Sequence, residues 1–321
     1  MTREGAKTQF LAQAGWGDAT RSFLAGDASN RRYDRVTHGA RRAVLMDAPP
    51  QDNAPLTAFV TMTDTLRGAG LSAPEIYAVD DAKGLMLIED LGDDSFAVLL
   101  REDPEREAEF YAAAVEIIAH VQTLKPPAIC PRYDTEIFTR EAHRFTDHYP
   151  HQGDRDAGTA LILESIAATH RTPPVLLLLD FHAENLLWLP EREGLAKVGL
   201  LDYQDARVGH PAYDLMSLFE DARRDVTPAL RDQLLSDYLA KTGYDPVAFM
   251  EDYHALAAQR HLKVLGIFAR LTREGRPGYA AHLERVWRLL QEALAAPHLA
   301  DLKAWVDAHV PPPSEIDWSR A

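Results

Sequence analysis

The sequence has a single cysteine and no long apolar run. Cys130 stands alone among 321 residues, which excludes an internal disulfide and a zinc site built from several cysteines. No apolar stretch approaches the roughly 20 residues of a membrane-spanning helix. The first ten residues, MTREGAKTQF, lack the apolar segment of a secretory signal. We therefore expect a cytoplasmic protein that does not act in a membrane.

Positive charge is also scarce. There are 34 Lys and Arg residues against 49 Asp and Glu residues, and the net charge is −15. A nucleic-acid surface requires a basic patch, and no long basic run is present, so nucleic acid is not an expected partner. An acidic protein that binds an anion needs a local cluster of donors or a metal ion. We expect a monomer with a small-molecule substrate.

Repeats and low-complexity tracts are absent, and two regions of different periodicity follow one another. In the first 90 residues, short runs typical of strands surround helical patterns at 6–14 and 56–69. The strand-like runs are 21–26, 30–37 and 42–47, with "EIYAVD" and "GLMLIED" after the second helix. These runs predict a small antiparallel sheet.

Helical patterns dominate from residue 94 onwards. They cover 94–124, 134–149, 156–170 and most of the chain after Pro211, with short strand-like runs at 185–189 and 197–201. We therefore predict an α+β fold of two parts. A small N-terminal antiparallel sheet occupies residues 1–92, and a larger, mostly helical part occupies residues 93–321.

Polar residues interrupt an apolar stretch in "LLLLDFHAENLLWLP". Asp180 and Asn185 stand five positions apart in it, although carboxylates beside buried strands are unfavourable unless something pairs with them. A second acid, Asp202, directly follows the apolar strand of "KVGLLDYQDARVGHPAYDL". The hairpin predicted between the two motifs would return Asn185 and Asp202 to the same end. Asp180, Asn185 and Asp202 are therefore expected to converge.

Such a set of residues is what phosphoryl transfer requires. One carboxylate orients the attacking hydroxyl and accepts its proton, while a carboxylate and an amide oxygen hold Mg²⁺ against the phosphate oxygens. Mg²⁺ prefers hard oxygen ligands and keeps several waters, so few protein ligands suffice. The metal would also supply the counter-charge that lets acids lie in an apolar neighbourhood.

The two motifs, D-x-H-x-x-N and L-D-[FY]-x-x-A-x-x-G-x-P-x-x-D-L, resemble the aminoglycoside-phosphotransferase-like kinases, whose fold is similar to that of protein kinases. "FLAGDASNRRYDRV", "VLMDAPP", "LMLIEDLGD" and "RHLKVLGIFARL" extend the resemblance over most of the chain. Together they resemble one branch, the bacterial sugar kinases of cell-wall recycling, which phosphorylate the anomeric hydroxyl of N-acetylmuramate and N-acetylglucosamine. ATP and Mg²⁺ are the cofactors that this resemblance implies.

The resemblance implies a role for each motif residue. Asp180 would be the catalytic base, and Asn185 and Asp202 would be the magnesium ligands. Asp214, in "GHPAYDL", would be structural and would brace the catalytic loop.

The nucleotide would be held by two further segments. In the loop "AGDASNRR", which would cover the phosphates, the expected residues are Gly26, Ser29, Arg31 and Arg32. The segment from Glu89 to Leu91 would bind adenine through its backbone.

The sequence departs from the family pattern at two places. Many kinases of this fold have a strand Lys that pairs with a helix Glu, but Met46 stands at the Lys position and helix 56–69 contains no Glu. Arg31 or Arg32 could supply the missing cation, and Arg32→Ala would then raise the KM for ATP. Leu178 and Leu179 also precede Asp180, where a His and a basic residue are common. Packing or other groups must therefore hold the loop.

The acceptor side has alternative interpretations. His182 either contacts substrate or is a buried histidine bonded to backbone, and Glu184 is either solvated or close to the sugar. Arg260 and Lys263 either contact the sugar or its lactyl carboxylate, or belong to a solvated helix face. Other small acceptors, such as an aminoglycoside, choline or homoserine, stay open. A catalytically silent nucleotide-binding regulator is a further alternative, which the intact base and metal ligands oppose.

Overall fold

The computed structural model describes residues 2–26, 31–51, 56–167, 169 and 172–318. Its contacts divide the chain into two compact units, each assembled from several segments. The first unit comprises Met1–Glu107, Pro127–Cys130 and Ala183–Ala206. The second comprises Ala108–Pro126, Pro131–His182 and Arg207–Ala321. Grouping by contact does not test the predicted division at residues 92 and 93, which stays a prediction.

The first unit is built on a five-stranded antiparallel sheet. Its strands are β1 (Thr20–Gly26), β2 (Arg32–His38), β3 (Arg41–Asp47), β4 (Ile76–Asp80) and β5 (Leu85–Glu89). They lie in the order β1-β2-β3-β5-β4, and the register places Tyr33 opposite Met46 and Val44 opposite Ile88. The predicted N-terminal antiparallel sheet is confirmed.

One face of this sheet is covered by helix α1 (Arg3–Gln13). The helix begins where the Thr2 hydroxyl accepts the Gly5 N–H at 3.2 Å. Phe10 and Leu11 pack against Leu45 in a closed apolar core. Because side chains alternate along a strand, Val44 and Tyr33 belong to the other face. That face is the one on which a pocket lies.

Two more helices and a hairpin complete the first unit. They are α2 (Thr57–Gly68), α3 (Phe96–Glu102) and the pair β7 (Leu186–Trp188) and β8 (Val198–Leu200), while β6 (Val175–Leu177) pairs with β9 (Arg207–Gly209) in the second unit. The predicted helix at 56–69 and the predicted hairpin strands are thus confirmed. β6 and β9 were not predicted, because they pair between segments far apart in the chain, whereas the equally short β7 and β8 are joined by a hairpin turn.

Helices make up most of the second unit within the described chain. They are α4 (Glu107–Val121), α5 (Thr135–His148), α6 (Arg155–Ala167), α7 (Ala212–Phe219), α8 (Pro228–Thr242), α9 (Pro246–Arg273), α10 (Leu283–Leu294) and α11 (Ala300–His309). The longest helix, α9, packs against α5, α7 and α10. At Gly266 an added Cβ would lie 2.0 Å from the Arg144 oxygen, so glycine allows α5 and α9 to approach closely.

The predicted helix at 94–124 is wrong in one respect, because the structure breaks it in two. α3 ends before Asp103, whose φ of −137° is not helical, and Pro104 begins a short 3₁₀ turn before α4. Proline favours the first turn of a new helix, and the residue before it is disfavoured in helical conformation. Within the described residues, no helix combines the length and apolar character that a membrane span requires.

Candidate functional site

The hairpin of β7 and β8 brings two of the predicted site residues together. Leu186 lies opposite Leu200, so Asn185 precedes one strand at the end where Asp202 follows the other. The N–H of Leu201 donates to the Asn185 carbonyl at 3.0 Å. The prediction that the hairpin returns Asn185 and Asp202 to the same end is therefore confirmed.

Both residues line a pocket of about 280 Å³ that lies wholly within the first unit. Its walls are mainly apolar, with Val44 and Ile88 contributed by the sheet. Leu24 and Leu201 also line it, and they remain 36% and 37% exposed. Large apolar side chains that stay exposed around a pocket favour a flat apolar ligand, because its binding would remove that surface from water.

The segment from Glu89 to Gly92, called the joint here, lines the same pocket. Glu89 is engaged on two sides: its N–H donates to the Glu75 carbonyl at 2.8 Å, and its carboxylate accepts from Arg192 at 2.5 Å. The N–H of Leu91, by contrast, donates to no acceptor among the described residues. The joint thus presents an open backbone donor at Leu91. The predicted adenine contact of Glu89 stays a prediction.

An arginine from β2 fixes the joint. The Arg35 guanidinium donates to Asp90 at 2.7 Å and to both carboxylate oxygens of Asp93, at 2.8 and 3.0 Å. This contact holds the pKa of the Asp93 carboxyl below its usual range. Arg35 lies two residues from Tyr33, which lines the pocket, so the ion pair ties the strand bearing Tyr33 to the joint. Sequence reasoning missed this contact, because 55 residues separate Arg35 from Asp90.

Asp202 has an unusual backbone and a neighbour that holds its side chain. Its φ is 58°, a left-handed conformation that is uncommon for residues other than glycine. The Gln204 side-chain amide donates to Asp202 Oδ1 at 2.6 Å. Between them, the buried Tyr203 hydroxyl lies 2.7 Å from that of Thr63 in α2. The segment that carries Asp202 is therefore anchored on both sides.

Asn185 and Asp202 fit a magnesium–nucleotide complex. They offer an amide oxygen and a carboxylate, the hard donors that Mg²⁺ prefers, and Mg²⁺ completes its shell with water and phosphate oxygens. Among the described residues, no group of three or more His, Cys, Asp or Glu side chains could hold a metal ion. Metal bound here would therefore rest on these two residues together with a bound phosphate.

The strand register also indicates the face of the sheet on which the predicted phosphate-binding residues lie. Met46 is 1% exposed and shares the strand face of Val44. Arg32 belongs to the opposite face, that of Val36, and lies 5.6 Å from the Phe23 ring centre. Arg31 directly precedes β2, and continuing the alternation from Tyr33 one residue beyond the strand would put it on the pocket face. The nucleotide-binding roles predicted for these residues stay predictions.

Of the remaining two residues of the predicted phosphate loop, the structure describes Gly26 but not Ser29. Gly26 ends β1 opposite Arg32, and among the described residues the nearest atom to an added Cβ would be the Arg31 carbonyl oxygen at 3.7 Å. Ser29 lies outside the described residues.

Asp180 belongs to the second unit, where a carboxylate braces the loop before it. Asp214 accepts the N–H groups of Leu178 and Leu179 at 2.7 and 2.9 Å. Leu179 has a φ of 70°, and its carbonyl accepts from Ser217 at 3.1 Å. The expectation that other groups hold the loop in place of a histidine is confirmed, and the bracing contact expected of Asp214 is present. Asp180 itself is exposed.

Burial changes the acidity of the bracing carboxylate. Asp214 is 1% exposed, and desolvation raises the pKa of its carboxyl to about 6, although the two N–H donors oppose this rise. At neutral pH the group is therefore ionised and can accept both hydrogen bonds.

A family model described as the phosphotransferase enzyme family matches residues 20–250, which include the pocket, the Asp180 loop and Asp214. The chain belongs to this family. The conclusion agrees with the predicted resemblance and with the α+β fold that it implies.

Curated relatives of this phosphotransferase extend over nearly the whole chain. An N-acetylmuramate/N-acetylglucosamine kinase of Caulobacter vibrioides is 39% identical, and the match covers 96% of this chain and 97% of the relative. A kinase of the same name from Pseudomonas aeruginosa is 33% identical over 91% of this chain and 90% of the relative.

Solved structures of distant kinases share the fold of this phosphotransferase. A choline/ethanolamine kinase family protein from Mesorhizobium loti gives a TM-score of 0.65 at 16% identity, covering 95% of this chain and 100% of that one. The ADP-bound aminoglycoside phosphotransferase APH(2'')-Ib gives 0.61 at 12% identity, covering 90% and 98%. At these identities the likeness concerns the fold alone.

The predicted acceptor residues of this phosphotransferase lie in the second unit, except for Glu184. Arg260, which is 9% exposed, donates to Ser217 at 2.9 Å. Lys263 donates to Glu141 at 3.1 Å and to the Tyr213 hydroxyl at 2.9 Å. Neither residue belongs to a solvated helix face, so that alternative is wrong. Contact with substrate stays a prediction for both.

The charges around Lys263 stabilise one another. Burial alone would raise the pKa of Glu141, but Lys263 and the hydroxyl of Tyr133 hold it below its usual range. Burial would also lower the pKa of Lys263, yet Glu141 raises it. Glu141 was not predicted, because nothing in its local sequence distinguishes it from a solvated helix residue.

His182 and Glu184 flank the point where the chain passes from the second unit to the first. His182 is 8% exposed and Glu184 is exposed. Burial of His182 agrees with the structural interpretation, and contact with substrate stays a prediction for both residues.

Proposed function

We propose that this phosphotransferase transfers the γ-phosphoryl group of ATP to the anomeric hydroxyl of N-acetylmuramate or N-acetylglucosamine. The observation that carries the choice of acceptor is the 39% identity to the Caulobacter vibrioides kinase over almost the full length of both chains. A reaction that consumes ATP supports a cytoplasmic location, where cell-wall recycling would supply such sugars. The protein acts as a monomer on a small molecule.

In this proposal the pocket of the first unit binds ATP with Mg²⁺. Leu24 and Leu201 cover the adenine ring, and the Leu91 N–H donates to one of its ring nitrogens. Asn185 and Asp202 hold Mg²⁺, which neutralises charge on the phosphates. Arg31 supplies the cation that the strand lysine supplies in other kinases of the fold.

Asp180 is the catalytic base in this proposal. It orients the sugar hydroxyl for in-line attack and accepts its proton as the bond to phosphorus forms. Support comes from its spacing of five residues before Asn185 and from the brace of Asp214, which holds the preceding backbone at two points. Arg260 and Lys263 belong to the acceptor side, together with His182 and Glu184.

The first test measures magnesium-dependent ADP release with N-acetylmuramate, N-acetylglucosamine, an aminoglycoside and choline as separate acceptors. We expect turnover on the amino sugars and its loss in Asp180→Asn. Asp18→Asn, at an exposed turn, is the matched control and should retain full activity. Turnover on another acceptor alone would overturn the sugar assignment. ATP binding without turnover on any acceptor would favour a silent regulator.

A further inference from the structure

The Asp202 side chain has one hydrogen-bond partner among the described residues. Gln204 Nε2 donates to Asp202 Oδ1 at 2.6 Å. The second oxygen, Oδ2, accepts no hydrogen bond from the described chain. The two oxygens of Asp202 therefore differ in hydrogen bonding, since only Oδ1 is held by a donor of the described chain.

The position of Gln204 is set by its neighbours in the chain. The Ala206 N–H donates to the Tyr203 carbonyl at 3.1 Å, which closes a tight turn. Tyr203 is 1% exposed, and its hydroxyl contacts Thr63. Gln204 is half-buried and lines the same pocket as Asn185 and Asp202. Its side chain thus extends from an anchored turn.

A metal site at this pocket depends on the orientation of a single carboxylate. Asn185 and Asp202 are the two candidate ligands, and Mg²⁺ requires near-ideal octahedral geometry. A carboxylate that rotates freely presents both oxygens in many orientations. When a hydrogen bond holds one oxygen, the second oxygen is presented in a single orientation. Groups that hold a metal ligand typically contribute about 10- to 100-fold to metal affinity or activity.

We propose that Gln204 is the positioning residue of the metal site. Its amide holds Oδ1 of Asp202 so that Oδ2 faces the ion that accompanies ATP. The inference rests on the proposed nucleotide site, but it does not depend on the identity of the acceptor. It assigns Gln204 a role in metal-dependent nucleotide binding, with no contact to the sugar and no proton transfer.

The test compares the wild type with Gln204→Leu and Gln204→Met, which keep much of the side-chain volume and remove the donor. Gln233→Leu is the matched control, because Gln233 also donates to an Asp side chain, at 3.0 Å, on an exposed helix of the second unit. Calorimetry measures the dissociation constant of ATP over a range of Mg²⁺ concentrations and in EDTA. Thermal unfolding establishes that each variant is folded.

We expect both Gln204 variants to bind ATP like the wild type in EDTA. The Mg²⁺ concentration at which ATP affinity is half-maximally enhanced should rise by roughly 10-fold or more, and the control should not change. A midpoint within about twofold of wild type, or an equal loss of affinity in EDTA, would overturn the assignment. If either variant fails to fold, the other decides.

Failure of the proposed function would be seen in measurements on the wild-type protein. Wild-type protein whose ATP affinity does not respond to Mg²⁺ would refute the metal site itself, and the role of Gln204 with it. Wild-type protein that binds ATP with Mg²⁺ but phosphorylates no amino sugar would refute only the acceptor.

Discussion

Asp214 holds the loop before Asp180 with one carboxylate, where many kinases of this fold use a histidine. It accepts two consecutive backbone N–H groups, and Arg260 reaches the same loop through Ser217. The loop therefore does not need a polar side chain at Leu178, which is buried. The loop before Asp180 is therefore supported although the histidine common in this family is absent.

Replacing Asp214 by Asn should destabilise the protein in a pH-dependent way. An amide presents only one oxygen, so one buried N–H loses its acceptor, at about 1–3 kcal/mol. The folded-state pKa of about 6 lies above the unfolded value. Between the two, the folded state binds more protons, so the contribution of this carboxyl to the free energy of unfolding falls as pH rises.

The loss of unfolding free energy caused by Asp214→Asn should therefore be larger at pH 5 than at pH 8, by roughly 1 kcal/mol. Urea unfolding of wild type and variant at both pH values measures the difference. Asp18→Asn, at an exposed site, controls for the general effect of removing an acid. A deficit that grows from pH 5 to pH 8 would contradict the raised pKa.

Arg31→Ala should raise the KM for ATP more than Arg32→Ala does. Arg31 directly precedes β2, and continued alternation would put it on the face of Tyr33, which lines the pocket. Arg32 lies beside Phe23 on the other face. Loss of one phosphate contact of this kind is worth roughly 1.5–3 kcal/mol, or at least about tenfold in KM. Steady-state kinetics at saturating acceptor measures the KM for ATP of both variants. The reverse order would favour Arg32 as the residue that replaces the lysine.

The β7–β8 hairpin is the element that builds the pocket proposed to bind the nucleotide. It carries Asn185 before one strand and Asp202 after the other, and Leu187 from its middle lines the pocket. Gly199 in β8 lies under the joint, since an added Cβ would be 3.1 Å from Leu91 and 3.2 Å from Leu187. A small residue here lets the hairpin and the joint pack together.

Gly199→Val should therefore destabilise the protein by about 1–3 kcal/mol, because it overpacks this contact. It should also weaken ADP binding, since Leu91 must shift. Urea unfolding and an ADP titration measure the two effects. Gly278→Val, at a site with no atom within 4 Å, is the control. Wild-type ADP affinity in Gly199→Val would show that the joint does not depend on this packing.

The two compact units of the whole molecule are discontinuous in sequence. Residues 183–206 complete the first unit, although residues 108–182 lie between them and its first segment. They supply Tyr203, which contacts Thr63, and they supply both candidate metal ligands. The first unit is therefore not contained in the N-terminal part of the chain.

A fragment of residues 1–107 should consequently fail to bind ADP. It lacks Asn185, Asp202 and the hairpin wall of the pocket, and it leaves Phe59 of α2 without its ring contact to Tyr203. Calorimetry of the fragment against the full chain, with circular dichroism to measure the remaining structure, tests this. Binding with the affinity of the full chain would show that the hairpin is dispensable.

The sequence by itself determined the fold class, the antiparallel sheet, the hairpin and the motif residues. Apolar alternation in 42–47 and the spacing of Asn185 and Asp202 around a turn are local patterns, so strand periodicity and hairpin geometry suffice to interpret them. The break at Pro104 was open to the same reasoning and was missed. β6 and β9 pair between distant segments, so no local turn indicated them as it indicated the equally short β7 and β8.

Only the tertiary structure decided which distant groups support the site. Arg35 with Asp90 and Lys263 with Glu141 are pairs far apart in sequence. Each of these residues, taken alone, resembles a solvated charge. Whether a charge is solvated or paired depends on which elements pack together, and packing is a property of the folded chain that no local spacing encodes.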